Sequence, residues 1–408
     1  MPIYRAPDIY IEEVSGGARP IQAVGTSTAG FVGIAPDVGA FVNEARAINN
    51  WSEFVKEFFP DGTTSTPLSH AIYGFFLNGG RRCYVVNVGK GKSIAGGGSQ
   101  RTGLQVLEQV DEVAIVAAPG FADAASYEAV LSHCEKLEDR VAILDTPQEV
   151  KDLSLLTKVA TQPATPPKGS SGGDAPPAAP PTGLRPRQSD RGFGSLYFPW
   201  ITVRDPITNE LVEVAPSGHL AGIWARTDAT RGVHKAPANE PIRGALDTTY
   251  LLTRDEQADL NDAGVNCIRF FPREGIRVWG ARTLAAGSSE WRYLNVRRLF
   301  NMIEESIAVS TRWIVFEPND QTLWKSIRRD VSAFLTRLWR DGALMGQTPE
   351  EAFFVKCDEE TNPPEVIDAG MVVTLIGIAP VKPAEFIIFK ISQFAGGTKT
   401  ETQGGPNA

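Results

Sequence analysis

The sequence has few cysteines, no long apolar run and no leader-like start, and each absence excludes a class of protein. Its four cysteines, among 408 residues, are widely separated and form no Cys-x-x-Cys pair. This usage argues against a disulfide framework and against a zinc site. No run of about 18 uninterrupted apolar residues is present, so we expect no membrane span. The start, MPIYRAPDIYIEEV, has no basic region followed by an apolar run, so we expect no signal peptide and a protein that is made and folds in a cytoplasm.

Positive charge is also scarce relative to negative charge. The chain has 40 Lys and Arg against 48 Asp and Glu, which gives a formal net charge of -8 and a pI near 5.3. A nucleic-acid binder needs a basic face to contact phosphates, so this balance argues against a nucleic-acid partner, although it leaves a local basic patch open. A length of 408 residues favours two or three domains.

The region between residues 28 and 147 alternates between strand-like and helix-like patterns. The strand-like runs are continuously apolar, which is typical of strands that are buried on both faces. They span residues 29–35, 83–88, 113–119 and 141–147, and helical patterns span residues 69–80 and 123–138. This alternation predicts an α/β fold with parallel strands.

The composition changes sharply at residues 161–192. The segment TQPATPPKGSSGGDAPPAAPPTGLRPRQSDRG consists mainly of Pro, Gly, Ser and Ala and has almost no apolar bulk. Such a segment buries too little surface to offset the entropy of ordering, so we predict a mobile surface loop. A strand-like pattern returns at residues 195–203.

The last third of the chain has the most regular patterns. Apolar residues at helical spacing predict one helix capped by Asn295, and a second that begins at Asn319 or Asp320 and ends at Gly342. The inward-facing positions are Val296, Leu299, Phe300, Ile303 and Ile307 in the first helix and Leu323, Ile327, Val331, Phe334 and Leu338 in the second. Strand-like runs span residues 312–318, 352–357, 370–379 and 385–392.

Two predicted strands, at residues 8–14 and 385–392, have no evident partner nearby in the sequence. An unpaired strand edge is an aggregation hazard unless something pairs with it. The segments that we expect are an N-terminal arm strand and tether at 1–25, a peripheral α/β domain at 26–250 that carries the insert, a C-terminal domain at 251–394 with a terminal strand, and a flexible tail at 395–408.

Three motifs suggest chemistry, and none has the residues that the chemistry requires. VGKGKS at residues 88–93 ends like a phosphate-binding loop but lacks the earlier glycine of that motif. GTSTA at residues 25–29 is similar to the nucleophile segment of subtilisin-like proteases, but all four histidines follow Ser27. His219, His234 and Asp228 do not have the spacing of a compact metal site. We therefore expect no catalytic residue, no metal ligand and no cofactor.

The stretch GIRVWGARTLA, at residues 275–285, places an arginine after an apolar strand and a glycine turn. Arg282 could bind an anion there, or it could satisfy backbone carbonyls or a carboxylate at a structural corner made with Gly280. The paired arginines at 297–298 and 328–329 are expected to lie on solvated helix faces.

Several long motifs, in order along the chain, resemble the tail sheath protein family. They are APSGH, AGIWARTDATRGVHKAPAN, LNDAGVNCIRFFP, GIRVWGARTL, WRYLNVRRLFNMIEESI, WIVFEPNDQTLW and PAEFIIFKISQ. The resemblance is dense over residues 199–393 and weaker at DIYIEEV. This family forms the contractile sheath of phage tails, R-type bacteriocins and phage-derived extracellular injection systems.

The resemblance implies an α/β fold with a C-terminal domain that faces an inner tube, and a peripheral domain related in topology to subtilisin without its catalytic triad. It also implies hexameric rings that stack around the tube and contract to drive it through a target envelope. The expected partners are other copies of this chain, the inner tube protein, and baseplate and terminal cap proteins, with no nucleic acid and no direct membrane insertion. The expected location is a phage tail or a tail-like particle, which can be released from the producing cell.

The resemblance further implies that arm strands of adjacent subunits add to the sheet of a third. The residues expected to exchange are Ile9, Tyr10 and Ile11 in the first arm and Phe386, Ile387, Ile388 and Phe389 in the second. Those expected to face the tube are Arg328, Arg329, Arg337 and Arg340, for which a solvated face is the alternative. Arg282 and Gly280 are then expected to lock a structural corner. The alternative function is an α/β hydrolase-like enzyme on a subtilisin-related layout.

Overall fold

The computed structural model describes residues 20–91, 93–98, 100–161 and 182–388, and in these residues the chain forms fourteen strands and nine α-helices. The strands are β1 (Ala29–Gly33), β2 (Arg46–Ile48), β3 (Cys83–Asn87), β4 (Ile115–Ala117), β5 (Val141–Asp145), β6 (Gly194–Phe198), β7 (Ile201–Arg204), β8 (Leu211–Val214), β9 (Glu240–Pro241), β10 (Asp247–Thr248), β11 (Val265–Phe271), β12 (Gly275–Trp279), β13 (Phe353–Lys356) and β14 (Leu375–Ile378). The helices are α1 (Trp51–Phe58), α2 (Pro67–Leu77), α3 (Ala124–Leu137), α4 (Ser217–Arg231), α5 (Arg254–Asp262), α6 (Leu294–Ser310), α7 (Gln321–Arg340), α8 (Pro349–Ala352) and α9 (Pro364–Asp368).

Nine of the strands form one large sheet in the order β2-β3-β1-β4-β5-β6-β11-β12-β9. The six strands from β3 to β11 in this order run parallel to one another. β2 at one end, and β12 and β9 at the other, pair in the antiparallel sense. The predicted α/β fold with parallel strands is confirmed, since β1, β3, β4 and β5 form within the four apolar runs.

The central strands are apolar because the sheet is covered on both faces. In β1, Ala29 and Phe31 belong to one hydrophobic cluster, which includes residues of α1, α2 and α4. Val32 belongs to the cluster on the other face, which includes residues of α3 and α5. A strand with a helix layer on each side has no solvent-facing position, so its sequence does not alternate with polar residues.

Helices α2 and α4 pack closely against each other, and the first residue of α4 is hydrogen-bonded to a buried carboxylate. A Cβ atom on Gly218 would lie 2.2 Å from backbone atoms of Ala71 in α2, so only glycine permits this crossing. The backbone N–H and the hydroxyl of Ser217 both donate to Asp145 at the end of β5 (2.9 and 2.6 Å). Burial raises the pKa of Asp145 to about 7, and the hydrogen bonds from Ser217 oppose this shift without cancelling it.

A separate hydrophobic cluster holds the C-terminal part of the chain together. It is formed by α6, α7 and the β13–β14 pair, and Ile21 from the N-terminal segment is buried in it. The inward positions predicted for the second helix are all buried, and Asp320 caps α7 through the Leu323 N–H (2.8 Å). The large sheet continues beyond the boundary predicted at residue 250, because β11 pairs with β6 and β12 pairs with β11. The change of packing therefore falls near the start of α6.

The predicted strand at residues 312–318 is wrong. Arg312–Ile314 is a short 3-10 helix, and Phe316 follows at a φ of 72° with its side chain fully exposed. The physical reason is that α6 continues to Ser310 and α7 begins at Gln321. Residues 311–320 therefore form the connection between the two helices instead of a strand.

Asn295 does not cap α6, because the helix begins one residue earlier and Tyr293 occupies the cap position without a side-chain hydrogen bond. The side-chain amide of Asn295 is buried and donates to the backbone oxygens of His234 and Val381 (2.8 and 3.1 Å). It therefore joins three distant parts of the chain at the start of α6.

The mobile loop predicted at residues 161–192 is wrong at its C-terminal end, residues 182–192. Residues 162–181 lie outside the described residues, but the chain is fixed by Arg185, whose N–H donates to the Lys158 oxygen (2.9 Å). Arg187 then pairs with Glu128 and Glu135 of α3 (2.7 and 2.8 Å). The prediction was wrong for this end because charged hydrogen bonds order it in the absence of apolar bulk.

Candidate assembly surface

Arg282 binds the base of the C-terminal segment through a forked ion pair. Its Nε and Nη2 donate to the two carboxylate oxygens of Glu385, both at 2.9 Å, and its Nη1 donates to the Asn261 carbonyl (2.7 Å). The Asn261 amide and the Tyr293 hydroxyl also donate to Glu385 (3.0 and 3.3 Å). Burial alone would raise the pKa of Glu385, but the hydrogen bonds from Arg282 and Asn261 outweigh it, so the pKa is lowered. We call these four residues the arm clamp.

The backbone at Arg282 is held as firmly as its side chain. Its N–H donates to Asn266 Oδ1 (2.7 Å), and its carbonyl accepts from Asn266 Nδ2 and from the Ser195 hydroxyl (2.8 and 2.9 Å). A Cβ atom on Gly280 would lie 2.7 Å from Asn266 Oδ1, so the approach of this turn to β11 requires glycine. Arg282 is thus fixed to β6 and β11 through its backbone, and its side chain anchors a segment 103 residues further along the chain.

Beyond the arm clamp the C-terminal segment turns apolar and exposed. Phe386, Ile387 and Ile388 are 72%, 73% and 79% exposed. Residues 385–388 are not in a strand in this single chain, and the rest of the predicted strand, with Phe389, lies outside the described residues. The exchange of this segment between subunits stays a prediction.

The β13–β14 pair is a two-stranded sheet that has no third strand among the described residues. Phe353, Val355, Ile376 and Ile378 pack toward α7 and α6. On the other face, Phe354 and Leu375 are more than half exposed, and a Cβ atom on Gly377 would lie 2.1 Å from the Phe354 ring. The pair therefore presents unpaired edges and an apolar outer face.

The N-terminal arm residues Ile9, Tyr10 and Ile11 lie outside the described residues, but the segment that follows them is fastened to α6 and α7. Ile21 is buried, and its carbonyl accepts a hydrogen bond from Arg337 of α7. The Val24 N–H donates to the Ser306 hydroxyl of α6 (3.0 Å). Both predicted arms therefore start from an arginine contact on the body of the protein.

The joint between α6 and the large sheet is made by Arg298, which the sequence placed on a solvated face. Arg298 is buried and pairs with Asp228 of α4 through both terminal nitrogens (2.9 and 2.6 Å). It also donates to the Thr26 carbonyl (3.0 Å), and its guanidinium carbon lies 4.8 Å from the centroid of the Trp224 ring. The expectation of a solvated face was wrong here because Asp228 supplies a buried counterion.

The neighbouring Arg297 is also fully buried. Its guanidinium lies 4.3 Å from the Trp291 ring centroid and 4.7 Å from that of Phe193, and its Nε donates to Asn301 Oδ1 (2.7 Å). Burial is the main cause that lowers the pKa of Arg297 to about 10, although Glu304 opposes it. Aromatic residues at 193 and 291 were the signal that could have identified this site in the sequence.

The outward face of α7 is positively charged. The helix has five basic residues against one acid, Asp330, and Arg328, Arg329 and Arg340 are all exposed. Arg329 contacts Asp330 (2.9 Å), and Arg337 is engaged with the N-terminal segment. The role of these arginines toward a tube stays a prediction, but Arg337 has a second role within the subunit.

The residues considered for chemistry do not come together. Asp228 is committed to Arg298, and His219 is buried against Gly74, with burial as the main cause that lowers its pKa to about 4. Within the described residues no group of His, Cys, Asp and Glu is arranged to hold a metal ion. Nor does that part of the chain contain a helix with the length and apolarity to cross a membrane.

Two family models match adjacent parts of the chain: the phage tail sheath protein central domain at residues 191–284 and the phage tail sheath C-terminal domain at residues 287–394. The tail sheath protein of Salmonella phage ViI is 27% identical over 278 residues, which are 66% of this chain and 42% of that protein. The chain covers between 25% and 52% of the length of the curated relatives that it matches.

Solved structures match over nearly the whole chain. One match is a chain of the sheath complex of the extracellular contractile injection system PVC in its contracted state, with a TM-score of 0.75 and 28% sequence identity. The match covers 97% of this chain and 99% of the PVC chain. A chain of the anti-feeding prophage (AFP) baseplate has a TM-score of 0.71 and 30% identity, over 96% of this chain and 99% of its own. The mixed α/β fold agrees with these sequence and structural similarities, and the chain belongs to the contractile tail sheath protein family.

Proposed function

We propose that this chain is the sheath subunit that polymerises in stacked hexameric rings around an inner tube and contracts to drive the tube through a target envelope. The observation that carries the proposal is the C-terminal segment, which is clamped at Glu385 and then exposes three large apolar residues in a row. A soluble single chain gains nothing from this arrangement, whereas a strand that adds to a neighbour uses it.

The energetics favour strand addition over chance exposure. Burying a large aliphatic or aromatic side chain contributes about 1.5–3 kcal/mol. Phe386, Ile387 and Ile388 together therefore contribute at most about 4.5–9 kcal/mol when a neighbour covers them. Each backbone hydrogen bond of the added strand contributes about 0.5–1.5 kcal/mol more. The β13–β14 pair is the natural acceptor, because a two-stranded sheet is marginal alone and its edges are open in the described part of the chain.

The proposal includes a tube contact on the basic face of α7. Arg328, Arg329 and Arg340 are exposed there, so an acidic tube surface could bind them without rearrangement of the helix. Exposed ion pairs contribute only about 0–1 kcal/mol each and are screened by salt. A contact of that strength can be released during contraction.

We further propose that the large-sheet domain is a subtilisin-related layout without catalytic activity, within a phage tail or tail-like particle assembled in the producing cell. The parallel sheet with helices on both faces supports this layout. Baseplate and cap proteins are proposed as end partners, since similar chains occur in AFP baseplate structures. Labelling of purified protein by an active-site serine probe would contradict the absence of activity and favour a hydrolase.

Assembly is tested by electron microscopy of the purified chain with matched variants. We expect the parent to form long sheath-like tubes, and Ile387→Asp or removal of residues 1–15 to leave folded protein that forms none. Leu251→Asp is the control, because Leu251 is equally exposed, at 69%, but lies outside the arms. Long ordered tubes from the Ile387→Asp protein or from the truncated protein would disprove strand exchange.

The tube contact is tested by reversing charge on α7. The double variant Arg328→Glu, Arg329→Glu should lose co-assembly with the tube protein while it still forms tube-free sheath polymers. Arg243→Glu with Arg254→Glu is the matched control, since both arginines are exposed and lie away from α7. Normal tube-filled sheaths from the α7 variant, at low and moderate salt alike, would place the tube contact elsewhere.

A further inference from the structure

A hollow of about 250 Å3 lies beside the arm clamp, between the end of α5 and the turn that precedes α6. We call it the basic hollow, because three arginines and one acid provide its charged groups. The charged lining residues are Arg185, Arg282, Arg292 and Asp262, and the others are mainly small. In a chain with a net charge of -8, a concave surface with this excess of cations needs an explanation.

Arg185 is the unusual member of the basic hollow. Its backbone is fixed, because its N–H donates to the Lys158 carbonyl and its own carbonyl accepts from Ala160 (2.9 and 2.7 Å). Its Nη2 lies 3.8 Å from where a Cβ atom on Gly264 would be, and its Nε is buried without a hydrogen-bond partner among the described residues. Burial lowers the pKa of Arg185. A partly buried guanidinium without a counterion in the described chain is unfavourable, so the position indicates an anionic ligand.

The other two arginines, Arg282 and Arg292, differ in whether they already pair with a carboxylate. Arg282 is committed to Glu385 in the arm clamp. Arg292 donates to the Gly287 carbonyl and to the Tyr293 hydroxyl, both at 2.9 Å, and has no carboxylate partner in the described part of the chain. Asp262 contacts Arg282 only at 3.8 Å, and its side chain is 89% exposed. Arg185 and Arg292 therefore carry the uncompensated charge of the basic hollow.

We propose that the basic hollow binds an oxyanion, either a phosphate or a carboxylate, through Arg185 and Arg292. Guanidinium groups present a planar fork of N–H donors that matches both anions, and hydrogen bonds between charged groups are stronger than neutral ones. The volume admits an inorganic phosphate, or an Asp or Glu side chain from a second copy of the chain, with its stem. Inorganic phosphate and a carboxylate side chain are both anions whose oxygens accept hydrogen bonds from a guanidinium. Arg282 belongs both to the arm clamp and to the lining of the basic hollow, so a ligand in the hollow lies directly beside the base of the C-terminal arm.

The test is isothermal titration of inorganic phosphate into the dissolved chain, in chloride buffer. We expect saturable binding that weakens by about tenfold or more in Arg185→Gln and in Arg292→Gln, as loss of a charged hydrogen bond predicts. Asp262→Asn should tighten binding, because it removes the one acid of the hollow. Arg254→Gln, at an exposed arginine of α5 outside the hollow, should bind as the parent does. No saturable binding, or equal binding by the folded Arg185→Gln protein, overturns the proposal.

A second measurement identifies the source of the oxyanion. If a carboxylate of a second copy occupies the hollow, phosphate should slow assembly of the parent chain but not of Arg185→Gln. If free phosphate is the ligand, both proteins should assemble at rates that phosphate leaves unchanged. Phosphate binding is measured on dissolved protein, so its failure leaves the proposed sheath function untouched. A chain that never assembles would likewise leave the binding result valid.

Discussion

Replacement of Glu385 by glutamine should release the C-terminal segment from the body of the protein without unfolding it. In the arm clamp, donors from Arg282 and Asn261 reach the two oxygens of Glu385 within 3.0 Å. Glutamine keeps the shape but loses the charge, and it turns one acceptor into a second donor that faces the guanidinium. The segment is otherwise held at Val381, whose carbonyl accepts from the Asn295 amide and whose N–H donates to the Ala343 carbonyl. Beyond Val381, no described residue of the segment belongs to a hydrophobic cluster.

The free-energy cost of the Glu385→Gln change follows from the burial of the Arg282–Glu385 ion pair. Breaking a buried ion pair costs about 3–5 kcal/mol. The Glu385 side chain is 21% exposed, so solvent screening should reduce the cost below that range, to about 2–3 kcal/mol. A difference of about 1.4 kcal/mol is tenfold in population, so the population of the detached state should increase about 30- to 140-fold. The free energy of global unfolding should change much less, because detachment is local.

Hydrogen exchange measured by mass spectrometry tests this directly. Peptides that cover residues 380–388 should exchange faster in Glu385→Gln by that factor, and by a smaller factor in Arg282→Lys, which keeps the charge but loses the fork. Glu365→Gln is the control, because Glu365 is exposed and outside the clamp. Unchanged exchange in Glu385→Gln would mean that the clamp does not hold the segment.

The clamp should also respond to acid in a defined direction. The pKa of Glu385 is lowered in the folded chain, so the stabilisation is present above the ordinary glutamate pKa of about 4.3 and is lost as pH falls through the lowered value. The difference in exchange between the parent and Glu385→Gln should therefore narrow below about pH 4. A constant difference down to strong acid would contradict the ion-pair account.

Two further predictions concern the large-sheet domain. Deletion of residues 162–181 should leave the thermal midpoint of unfolding nearly unchanged, since loop length costs little entropy. Deletion of residues 162–192 should lower the midpoint, because it also removes Arg187 and its pairs with Glu128 and Glu135. Equal midpoints of the two deletion variants in calorimetry would show that these pairs contribute nothing. Asp145 has a pKa raised to about 7, so its protonated form stabilises the fold at low pH, and this contribution is lost as pH rises through about 7. The resistance of the parent to urea should thus fall relative to that of Asp145→Asn as pH rises from about 4, the ordinary aspartate pKa, to about 7, and then level off. Parallel pH profiles would refute the assignment.

Strands β1, β3, β4, β5 and β6 of the large sheet could be predicted from the sequence, because a strand buried on both faces has a local signature. The inward face of α7 could equally be predicted, since its apolar spacing repeats over about four turns of helix, from Leu323 to Leu338, without a break. The strand predicted at 312–318 failed for the opposite reason. An apolar run of that length also fits a loop between two helices, and only the extension of α6 to Ser310 decides between them.

The candidate site depended on pairings that the sequence does not contain. The motif around Arg282 indicated a corner, but nothing near it identified Glu385 as its partner, 103 residues away. The same holds for Arg298, whose partner Asp228 lies on another helix. Charged pairs leave no periodic signal, so which arginines are buried is settled only when the helices are placed. Arm exchange and tube contact are properties of more than one chain, and they remain predictions of the resemblance.

The joint between α6 and the large sheet has a mechanical consequence. Arg298 is fixed at once by a two-pronged bond to Asp228, by the Thr26 carbonyl and by the Trp224 ring. Contacts of this kind are directional and resist twisting, whereas an apolar interface allows sliding. The two halves of the subunit should therefore turn as one stiff block, and elasticity in an array of such blocks would reside in the thin connections between them. If the arms exchange between subunits as proposed, a force applied to one subunit would reach the next through backbone strands, loaded in shear along their length.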